Sequence, residues 1–378
     1  MPCPIILAIE SMTSGNLQMA EHADDLGYRL LILAEDCSIY SELDELDVVQ
    51  FETRNYTSLR HYVSDRRDEI AAVFSPTDTW GIHAARLRDE LGFTCRYSAD
   101  ELARFRDKQW VRQRLFQTVE TPKSYPRILK PRRGTGSSDI LFAESEEQLE
   151  QALYARERDD YVDEPFYQGP LYSAELYSDG SEVTFFGVTN RILTMPPIFL
   201  ERVKTFPHAH GTEWERSVRQ WSEDVLWSIG YNAGFAHLEF VETDHGFKLV
   251  ELNARMPGAL ITPAIDECTN FNPYSMVIDD ALGRGVDLPT EREISKGFSH
   301  VSLYADQTGI LESVSGLNKL SNYPGSPTWV PSKEIGAAVT ELGTYRSRIG
   351  NLYATADTPE IAQDRAIIAS QMVEVTVR

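Results

Sequence analysis

The sequence predicts an α/β protein that begins with a doubly wound parallel sheet and continues in segments of α+β character. Over the first hundred residues, short apolar runs alternate with helical patterns. Such alternation is typical of parallel strands covered by helices. Further along, strand patterns flank the turn sequences Asp179-Gly180 and Asp244-His245-Gly246, which indicates antiparallel hairpins. A chain of 378 residues is long enough for several domains with a substantial core.

The N-terminal segment has the order of elements expected of a doubly wound sheet. Its expected elements are strands at 4–9, 29–34, 47–51 and 70–74, and helices at 17–26, at 56–67 and before Gly92. Sheets of this kind bind ligands at the loops that follow their strands. The first of these loops contains Ser14 and Gly15 but no GxGxxG, so no dinucleotide site is inferred. Ser14 is a candidate substrate contact; the alternative is that this domain only packs against the rest.

The composition argues against several classes of partner. The formal net charge is −22, with 42% hydrophobic and 25% charged residues. Because binding to a phosphate backbone needs Lys and Arg, neither nucleic acid nor an anionic membrane surface is an expected partner. The four cysteines are scattered without a CxxC pair, which indicates neither a disulfide framework nor a zinc site. The apolar run at 5–9 is too short for a signal peptide, so a cytoplasmic protein is expected.

The segment after residue 97 combines basic residues with a turn of small residues. A single helix is expected at 98–118, with Ser98 as N-cap and Glu101 in the capping-box position. It contains Arg106-Asp107-Lys108. A strand carrying Lys130 is followed by small residues, namely Gly134, Gly136, Ser137 and Ser138. Such a turn can fold over phosphates and offer its N–H groups, although ligand-free Gly/Ser turns are equally common. The neighbouring basic residues, Arg127, Arg132 and Arg133, favour an anionic ligand.

The elements that follow carry less chemical information. Strands are expected at 172–176 and 181–190, after the acidic stretch 161–169. Tryptophans recur at helical spacing within 213–229, which is typical of a core helix rather than a ligand site. Beyond residue 290 the sequence predicts further strands and one helix near 359–370, and no cluster of chemical interest.

The stretch from Tyr231 to Gly258 predicts a hairpin with two carboxylates on one face. If Thr243 faces Phe247 across a three-residue loop, Glu239 lies directly opposite Glu251. The residues expected on that face are His237, Glu239, Val241, Leu249, Glu251, Asn253 and Arg255; those expected on the core face are Leu238, Phe240, Val250 and Leu252.

Two carboxylates at paired positions repel each other, and a divalent cation would remove that cost. Two carboxylates and the Asn253 amide, with room left for phosphates, suit Mg²⁺. Arg255 would then point at an anion in the same site. The alternative is an exposed hairpin face with solvated charges.

In combination these motifs resemble the ATP-grasp superfamily, over most of the chain. The resemblance lies in the order of a helical lysine (Lys108), a strand lysine before a Gly/Ser loop (Lys130), an acidic hinge before Gly169, a glutamate on the next strand (Glu175), and HLEF followed by ELNARMPG. The ELNAR element after a partnered glutamate is the specific part. Within the superfamily, the pattern looks most like ligases that join carboxylates to amines.

The resemblance implies ATP and Mg²⁺ as cofactors, with two ions expected and Mn²⁺ as a substitute. It implies that Lys108 and Lys130 contact phosphates under the Gly134–Ser138 loop, and that Glu164 to Phe166 line the adenine. Glu239, Glu251 and Asn253 would hold the metal. Arg255 would steady an acyl phosphate beside Gly258, and Arg191 is a further candidate for phosphate or substrate. His237 is interpreted as a structural partner rather than a general base.

Two positions depart from the family pattern. Leu171 stands where a polar ribose contact is common, so Asp163 or Glu175 is expected to replace it. Lys108 and Lys130 are also closer in sequence than is usual, which indicates a reduced small lobe.

The implied activity is an ATP-dependent ligase that forms an amide through an acyl phosphate and releases ADP and phosphate. Its expected domains are 1–100 (N-terminal α/β), 101–170 (small lobe), 171–290 (large lobe with the metal site) and 291–378 (C-terminal domain). The alternatives are a bicarbonate-activating carboxylase component and a non-catalytic metal- or nucleotide-binding protein. The expected partners are a small carboxylate and an amine, and a homodimer is a common assembly. A polycarboxylate donor, as in siderophore assembly, and a simple amino-acid pair, as in dipeptide synthesis, both stay open.

Overall fold

The structure is a computed structural model that describes residues 3–40, 43–94, 96–116, 124–134, 139–154 and 156–378. The expected loop residues Gly136, Ser137 and Ser138 lie outside these ranges. None of the helices within the ranges is long and apolar enough to cross a membrane.

The N-terminal domain is the expected parallel sheet with helices on both faces. Its elements are β1 (Ile5–Ile9), α1 (Asn16–Asp25), β2 (Arg29–Ala34), β3 (Val48–Gln50), α2 (Tyr56–Asp65), β4 (Ile70–Phe74) and α3 (Asp78–Leu91), and the strand order is β3-β2-β1-β4. Because both faces of β1 are covered, its residues are uniformly apolar. Ile6 and Ala8 share a core with Met256 and Ile261, which lie just after the ELNAR motif, whereas Leu7 packs towards α2 and α3. The face of β1 that carries Ile6 and Ala8 therefore packs against the segment that follows the predicted site.

The small lobe begins with two helices where one was expected. They are α4 (Ala99–Phe105) and α5 (Lys108–Phe116). The Ser98–Glu101 capping box is present. The prediction of one helix was wrong because Asp107 interrupts it: its Oδ1 accepts hydrogen bonds from the backbone N–H groups of Gln109 (3.0 Å) and Trp110 (3.3 Å) and so starts α5. The lobe continues with β5 (Arg127–Pro131), β6 (Leu141–Ala143), α6 (Glu146–Leu153) and β7 (Tyr161–Pro165), in a sheet of order β6-β5-β7.

An eight-stranded sheet forms the centre of the molecule. Its antiparallel strands, in spatial order, are β12 (Gly246–Asn253), β11 (Gly234–Thr243), β8 (Leu171–Ser178), β9 (Val183–Leu193), β10 (Glu201–Phe206), β13 (Gly297–Tyr304), β17 (Arg348–Ala356) and β15 (Thr328–Pro331). The helices of this part are α7 (Glu213–Ile229), α8 (Ile261–Cys268), α9 (Pro273–Ala281) and α10 (Pro359–Ser370). Strands β14 (Gly309–Ser315), β16 (Ala338–Val339) and β18 (Glu374–Val377) form a small separate sheet.

Strand pairing in this sheet crosses the expected boundary at residue 290. Strand β10 of the large lobe pairs with β13 of the C-terminal segment, for example at Val203 and Val301. Strands β13, β15 and β17 therefore extend the sheet that carries the predicted metal site, and their side chains can reach towards it.

Helix α7 covers one face of the central sheet. Trp214 and Trp221 lie against Phe240 and Phe247, with the Trp221 and Phe240 ring centroids 5.1 Å apart. Thr212 caps its start and Gly230, with φ 76°, ends it. Trp214 and Trp221 therefore pack against the core, as their helical spacing predicts. Trp227 lies elsewhere on the helix and is 46% exposed.

Gly169 lies between β7 and β8, at a position where we expect that no side chain can be accommodated. Its φ is 153°, and a Cβ there would overlap the carbonyl oxygen of Glu242. The backbone N–H of Glu242 donates to the Pro170 carbonyl (3.1 Å), so this contact joins the end of the small lobe to β11. We expect Gly169→Ala to lower the midpoint of thermal unfolding by roughly 5 °C or more, because the strand pairing must shift.

The control for this prediction is Gly211→Ala. Gly211 has φ 77°, and no atom of the described residues lies within 4 Å of the place that a Cβ would take. An alanine there therefore has only the conformational cost of its positive φ. Differential scanning calorimetry compares the two variants. An equal midpoint in both would show that the close approach to Glu242 is unimportant.

Candidate functional site

The hairpin of β11 and β12 brings the two predicted carboxylates to paired positions. Glu239 is the register partner of Glu251, and His237 is the partner of Asn253. Both carboxylates are largely buried, with side chains 18% and 19% exposed. The predicted pairing of Glu239 with Glu251 therefore agrees with the structure.

The turn that leads to this register differs from the predicted loop. Thr243 pairs with Gly246, which leaves a two-residue turn instead of a three-residue loop. The register then shifts between Glu239 and Phe240, with Val250 as the extra residue of a β-bulge. As a result Leu249 packs in the core beside Phe240, and Val250 lines the cleft. The predicted faces of Leu249 and Val250 were thus wrong, because a bulge reverses the alternation locally.

Side-chain cations from other segments contact both carboxylates. Lys108 Nζ lies 2.7 Å from Glu251 Oε1 and donates to the Gly134 carbonyl at 2.9 Å. Arg191 Nη1 lies 2.7 Å from Glu239 Oε1. The shortest contacts of both carboxylates are made through Oε1.

The two carboxylates differ in their affinity for a proton. Burial, together with the nearby charge of Glu239, raises the pKa of Glu251 despite Lys108. Burial would also raise the pKa of Glu239, but Arg191 and His237 hold it well below the ordinary value. The repulsion between the two carboxylates therefore raises the pKa of Glu251 and not that of Glu239.

Glu175 lies behind His237 rather than on the wall of the cleft. Its carboxylate is fully buried and accepts hydrogen bonds from Ser173 Oγ (2.7 Å) and Thr189 Oγ1 (3.0 Å). His237 Nδ1 lies 2.6 Å from Glu175 Oε2, and His237 Nε2 lies 3.3 Å from Glu239 Oε1. This geometry does not support the expected ribose contact of Glu175. It fits the interpretation of His237 as a structural partner that orients Glu239.

The expected nucleotide cleft lies between the small-lobe sheet and the central sheet. It has a volume of about 1220 Å³, and Lys130, Leu171 and Val250 are among the residues on its walls. Phe142, Phe166 and Phe199 cluster there, with the Phe142 and Phe166 ring centroids 5.1 Å apart. An aromatic wall of this kind suits a planar base.

Glu164 holds a buried charge cluster beside this cleft. Its side chain is 0% exposed; Arg112 Nη2 lies 2.5 Å from Oε1 and Lys130 Nζ lies 3.1 Å from Oε2. Glu164 therefore positions Lys130. Asp163, the next residue along β7, pairs with Arg127 and Arg158 instead of facing the cleft. Neither Asp163 nor Glu175 is among the residues that line the cleft, and the ribose partner stays a prediction.

The guanidinium of Arg255 is fixed by contacts with neighbouring residues. Its Nε lies 2.7 Å from Asp78 Oδ2, at the start of α3, and its Nη1 donates to the Met256 carbonyl at 2.7 Å. Its Nη2 is 3.5 Å from Asn253 Oδ1. A Cβ on Gly258 would lie 3.9 Å from Arg255 Nη1, so the glycine keeps space free beside the guanidinium.

A second cavity, of about 210 Å³, opens next to Arg255 and is named the Arg255 cavity. Arg191, Lys204, Arg348, Glu251 and Gly258 are among its lining residues. Lys204 Nζ lies 2.6 Å from Glu201 Oε2, and burial lowers its pKa well below the ordinary value. The cavity therefore combines the guanidinium groups of Arg191 and Arg348 with the carboxylates of Glu201 and Glu251.

The sequence analysis assigned no role to Lys204 or Arg348. Lys204 lies two residues after Arg202 on β10, where alternation predicts one face for both side chains, but Arg202 is exposed and Lys204 is buried. Arg348 carries no local signal, since it reaches the cavity only through the pairing of β17 with β13.

Several expected residues are not brought to the site. Ser14 lies in the loop before α1 and is not among the residues that line the two cavities described above. Arg132 and Arg133 pair with Asp107. These basic residues near Lys130 therefore stabilise the small lobe, and their charge does not indicate a further anion.

The donor set fits a hard divalent cation. Glu239, Glu251 and Asn253 offer oxygen atoms on adjacent strands, as Mg²⁺ prefers. Within the described ranges there is no cluster of three or more His, Cys, Asp or Glu side chains disposed to hold a metal. A metal at this hairpin would thus need further oxygens, which nucleotide phosphates provide.

Family comparisons agree with the resemblance seen in the sequence. Residues 106–259 match the family of ATP-grasp domains, and residues 301–378 match the family described as L-amino acid ligase C-terminal domain 2. The uncharacterized protein y4rH of Sinorhizobium fredii is 28% identical over 249 residues, which are 64% of this chain. These residues are 51% of y4rH, so the match spans about half of that protein's length.

Solved structures share the fold over nearly the whole chain. L-amino acid ligase from Bacillus licheniformis has a TM-score of 0.84, with 16% identity and 99% of each chain covered. The biotin carboxylase domain of 2-oxoglutarate carboxylase from Hydrogenobacter thermophilus, in complex with MgADP and bicarbonate, has a TM-score of 0.75, with 18% identity over 99% of this chain and 90% of that one. At these identities the matches establish an ATP-grasp fold, as the sequence predicted.

The cluster around Glu164 generates a stability prediction. Arg112→Met leaves Glu164 buried with Lys130 alone, so we expect the free energy of unfolding to fall by about 2 to 3 kcal/mol in urea denaturation. Arg114→Met is the control, because Arg114 lies on the same helix, is exposed and contacts only the Trp110 ring among the described residues. Equal stabilities of the two variants would contradict the importance of the buried pair.

Proposed function

We propose that this ATP-grasp protein is an ATP-dependent ligase that joins a small carboxylate to an amine and releases ADP and phosphate. The observation that carries the proposal is the pairing of Glu239 with Glu251, because Lys108 contacts Glu251 and Glu239 lines the same cleft as Lys130. The match of residues 301–378 to an L-amino acid ligase domain supports an amine as the acceptor.

The proposed reaction has two group transfers. A carboxylate oxygen of the donor attacks the γ-phosphorus of ATP, and the bond to the β,γ-bridging oxygen breaks to release ADP. The amine nitrogen then attacks the acyl carbon; phosphate leaves with the bonding electrons, and the nitrogen loses its extra proton. The first step is needed because an unactivated carboxylate has no good leaving group. Phosphoryl transfer depends mainly on positioning and charge neutralisation.

The small-lobe lysines are suited to hold phosphates. Lys130 is fixed by Glu164 and also donates to the Val250 carbonyl (3.4 Å), which places its ammonium between the two lobes. Lys108 is fixed by Glu251 and by the carbonyl of Gly134, where the expected phosphate-covering loop begins. Phe166 would pack against the adenine. Because the two lysines are already oriented, little side-chain entropy is lost on binding.

Glu239, Glu251 and Asn253 would hold Mg²⁺, which when bound neutralises phosphate charge and would relieve the repulsion between the two carboxylates. His237, itself held by Glu175, keeps Glu239 in place. Two ions are proposed, and Mn²⁺ is proposed as a substitute.

Arg255 is proposed to stabilise the charge that develops at the acyl group. Its guanidinium is fixed by Asp78 before the reaction, and fixed donors of this kind lower barriers most effectively. The donor carboxylate would bind in the Arg255 cavity, where Arg191 and Arg348 supply positive charge. Both substrates are small molecules, and a reaction that consumes ATP is expected in the cytoplasm.

A second candidate function is ATP-dependent activation of bicarbonate. It is favoured by the structural match to a biotin carboxylase domain that was solved with bicarbonate. The same fold and metal ligands would serve, and bicarbonate would replace the donor carboxylate as the group that ATP phosphorylates. ATP turnover that depends on bicarbonate and not on an amine would favour this reading over the ligase.

The ligase proposal predicts which nucleotide product appears. Incubation with ATP, Mg²⁺, pooled small carboxylates and pooled amines should release ADP and phosphate, measured by a phosphate assay and by chromatography of the nucleotides. Omission of either pool should reduce the rate by at least about tenfold. AMP and pyrophosphate as products would exclude the proposed chemistry. Binding of Mg²⁺ without any binding of MgATP, measured by calorimetry, would favour a non-catalytic role.

Glu251→Gln tests the assignment of the metal site. The variant should lose at least about 10²-fold in turnover, because a metal-ligand carboxylate is removed. It should stay folded, since the glutamine oxygen can still accept from Lys108 and the repulsion with Glu239 is gone. Glu213→Gln, at an exposed position on α7, should keep wild-type turnover and serves as control. Wild-type turnover in Glu251→Gln, with an unchanged circular-dichroism spectrum, would remove the metal assignment.

A further inference from the structure

One arginine of the Arg255 cavity has no partner among the residues that the structure describes. Arg348, at the start of β17, is half-buried, and its Nε is shielded from water without a hydrogen-bond partner. Its side chain makes no hydrogen bond or ion pair with any residue in the described ranges. Arginines that are removed from water are normally paired, because an uncompensated charge there costs free energy. The guanidinium is thus available to an anion that the described residues do not supply.

The carboxylates of the same cavity each contact a basic side chain. These contacts are Glu201 with Arg191 and Lys204, Glu239 with Arg191, and Glu251 with Lys108. Arg255 has Asp78 as its partner. An ammonium group that entered the cavity would therefore meet no carboxylate without a partner, whereas a carboxylate would meet the unpaired guanidinium of Arg348.

The surroundings of Arg348 are basic. His300 on β13 is the register partner of Lys204 on β10. Burial and the nearby charges of Lys204 and Arg348 lower the pKa of His300 well below its ordinary value. Burial, Arg191 and Arg348 lower the pKa of Lys204 in the same way. The share of these shifts that comes from neighbouring charge indicates a positive potential, and such a potential attracts an anion.

Arg348 and Arg255 reach the cavity from distant parts of the central sheet. Arg255 follows β12, and between β12 and β17 the sheet contains β11, β8, β9, β10 and β13. Both arginines nevertheless line one cavity of about 210 Å³, together with Tyr304 and Tyr345. A small molecule with an anionic group at Arg255 could therefore present a second anionic group to Arg348.

We propose that the donor substrate is a dicarboxylic acid. One carboxylate would lie beside Arg255 and Gly258 and receive the phosphoryl group. The second carboxylate would bind Arg348, whose guanidinium offers paired N–H donors to a carboxylate. This second group takes no part in the reaction, so the product is an amide that keeps one free carboxylate. The inference rests on the proposed ligase function and adds the chemical class of its donor.

The kinetic test compares dicarboxylic acids with their half-amides, which keep the shape of the acid but lack the second charge. In the phosphate-release assay with pooled amines, the linear dicarboxylates from succinate to pimelate and the matching half-amides are supplied singly as donors. We expect the wild type to have a KM at least about tenfold lower for one or more of the acids than for the matching half-amide, and Arg348→Met to lose that preference. KM for ATP should stay within about twofold. A rise in KM for ATP alone would assign Arg348 to phosphate binding and overturn the proposal.

Two further variants keep the test interpretable. Arg202→Met removes an exposed cation on β10 that is not among the residues lining the cavity, and it should keep the wild-type preference. Arg348→Lys keeps the charge but not the paired donors, and it should show an intermediate preference even if Arg348→Met fails to fold. Equal KM values for acids and half-amides in the wild type, or the same loss of preference in Arg202→Met, would overturn the donor assignment while leaving the ligase proposal intact.

Binding without turnover separates the two proposals. Calorimetry with the same acids and half-amides, in the presence of MgADP and without amines, should show at least one dicarboxylate that binds to the wild type and to Arg202→Met but not to Arg348→Met. Such binding without any phosphate release in the assay would support the role of Arg348 and refute the ligase. Absence of binding of every dicarboxylate, or equal binding by Arg348→Met, would refute the donor assignment.

Discussion

The site depends on two carboxylates that the hairpin register places side by side in a largely buried position. Glu239 and Glu251 would repel each other there without compensating charge. The compensation comes from separate parts of the fold: Lys108 from the small lobe and Arg191 from the neighbouring β9. Each cation is in turn fixed by another contact, and Glu175 fixes His237 beside Glu239. Lys108 thus links the small lobe to the hairpin through this pair of carboxylates.

The elements that could be predicted are those with a local signal. The alternation of β1 to β4 with helices, the Ser98–Glu101 capping box and the end of α7 at Gly230 all follow from short-range patterns. The carboxylate pair was predicted with the right register for a partly wrong reason. A three-residue loop without a bulge and a two-residue turn with a bulge at Val250 give the same partner for Glu239. Alternation in the sequence does not distinguish them.

The remainder of the site could not be predicted because it is formed by residues far apart in the chain. Asp78 meets Arg255 across 177 positions, and Arg348 arrives through a strand added by the C-terminal segment. Conversely, some charges that indicate a ligand in the sequence are paired with side chains in the fold. The basic residues near Lys130 suggested an anion, but Asp107 and Asp163 already neutralise them. Charge in a sequence shows what must be compensated; only the fold shows whether the partner is a side chain or a ligand.

The continuity of the central sheet limits how this chain can be divided. Strand β10 has β9 on one side and β13 on the other, so a protein that ended before β13 would expose a row of unpaired backbone N–H and C=O groups next to Lys204. Open edges of this kind pair readily with other chains and promote aggregation. We therefore expect the large lobe to need the C-terminal segment to cover this strand edge. Recombination with a foreign C-terminal segment would have to restore a matching edge before it could alter the substrate.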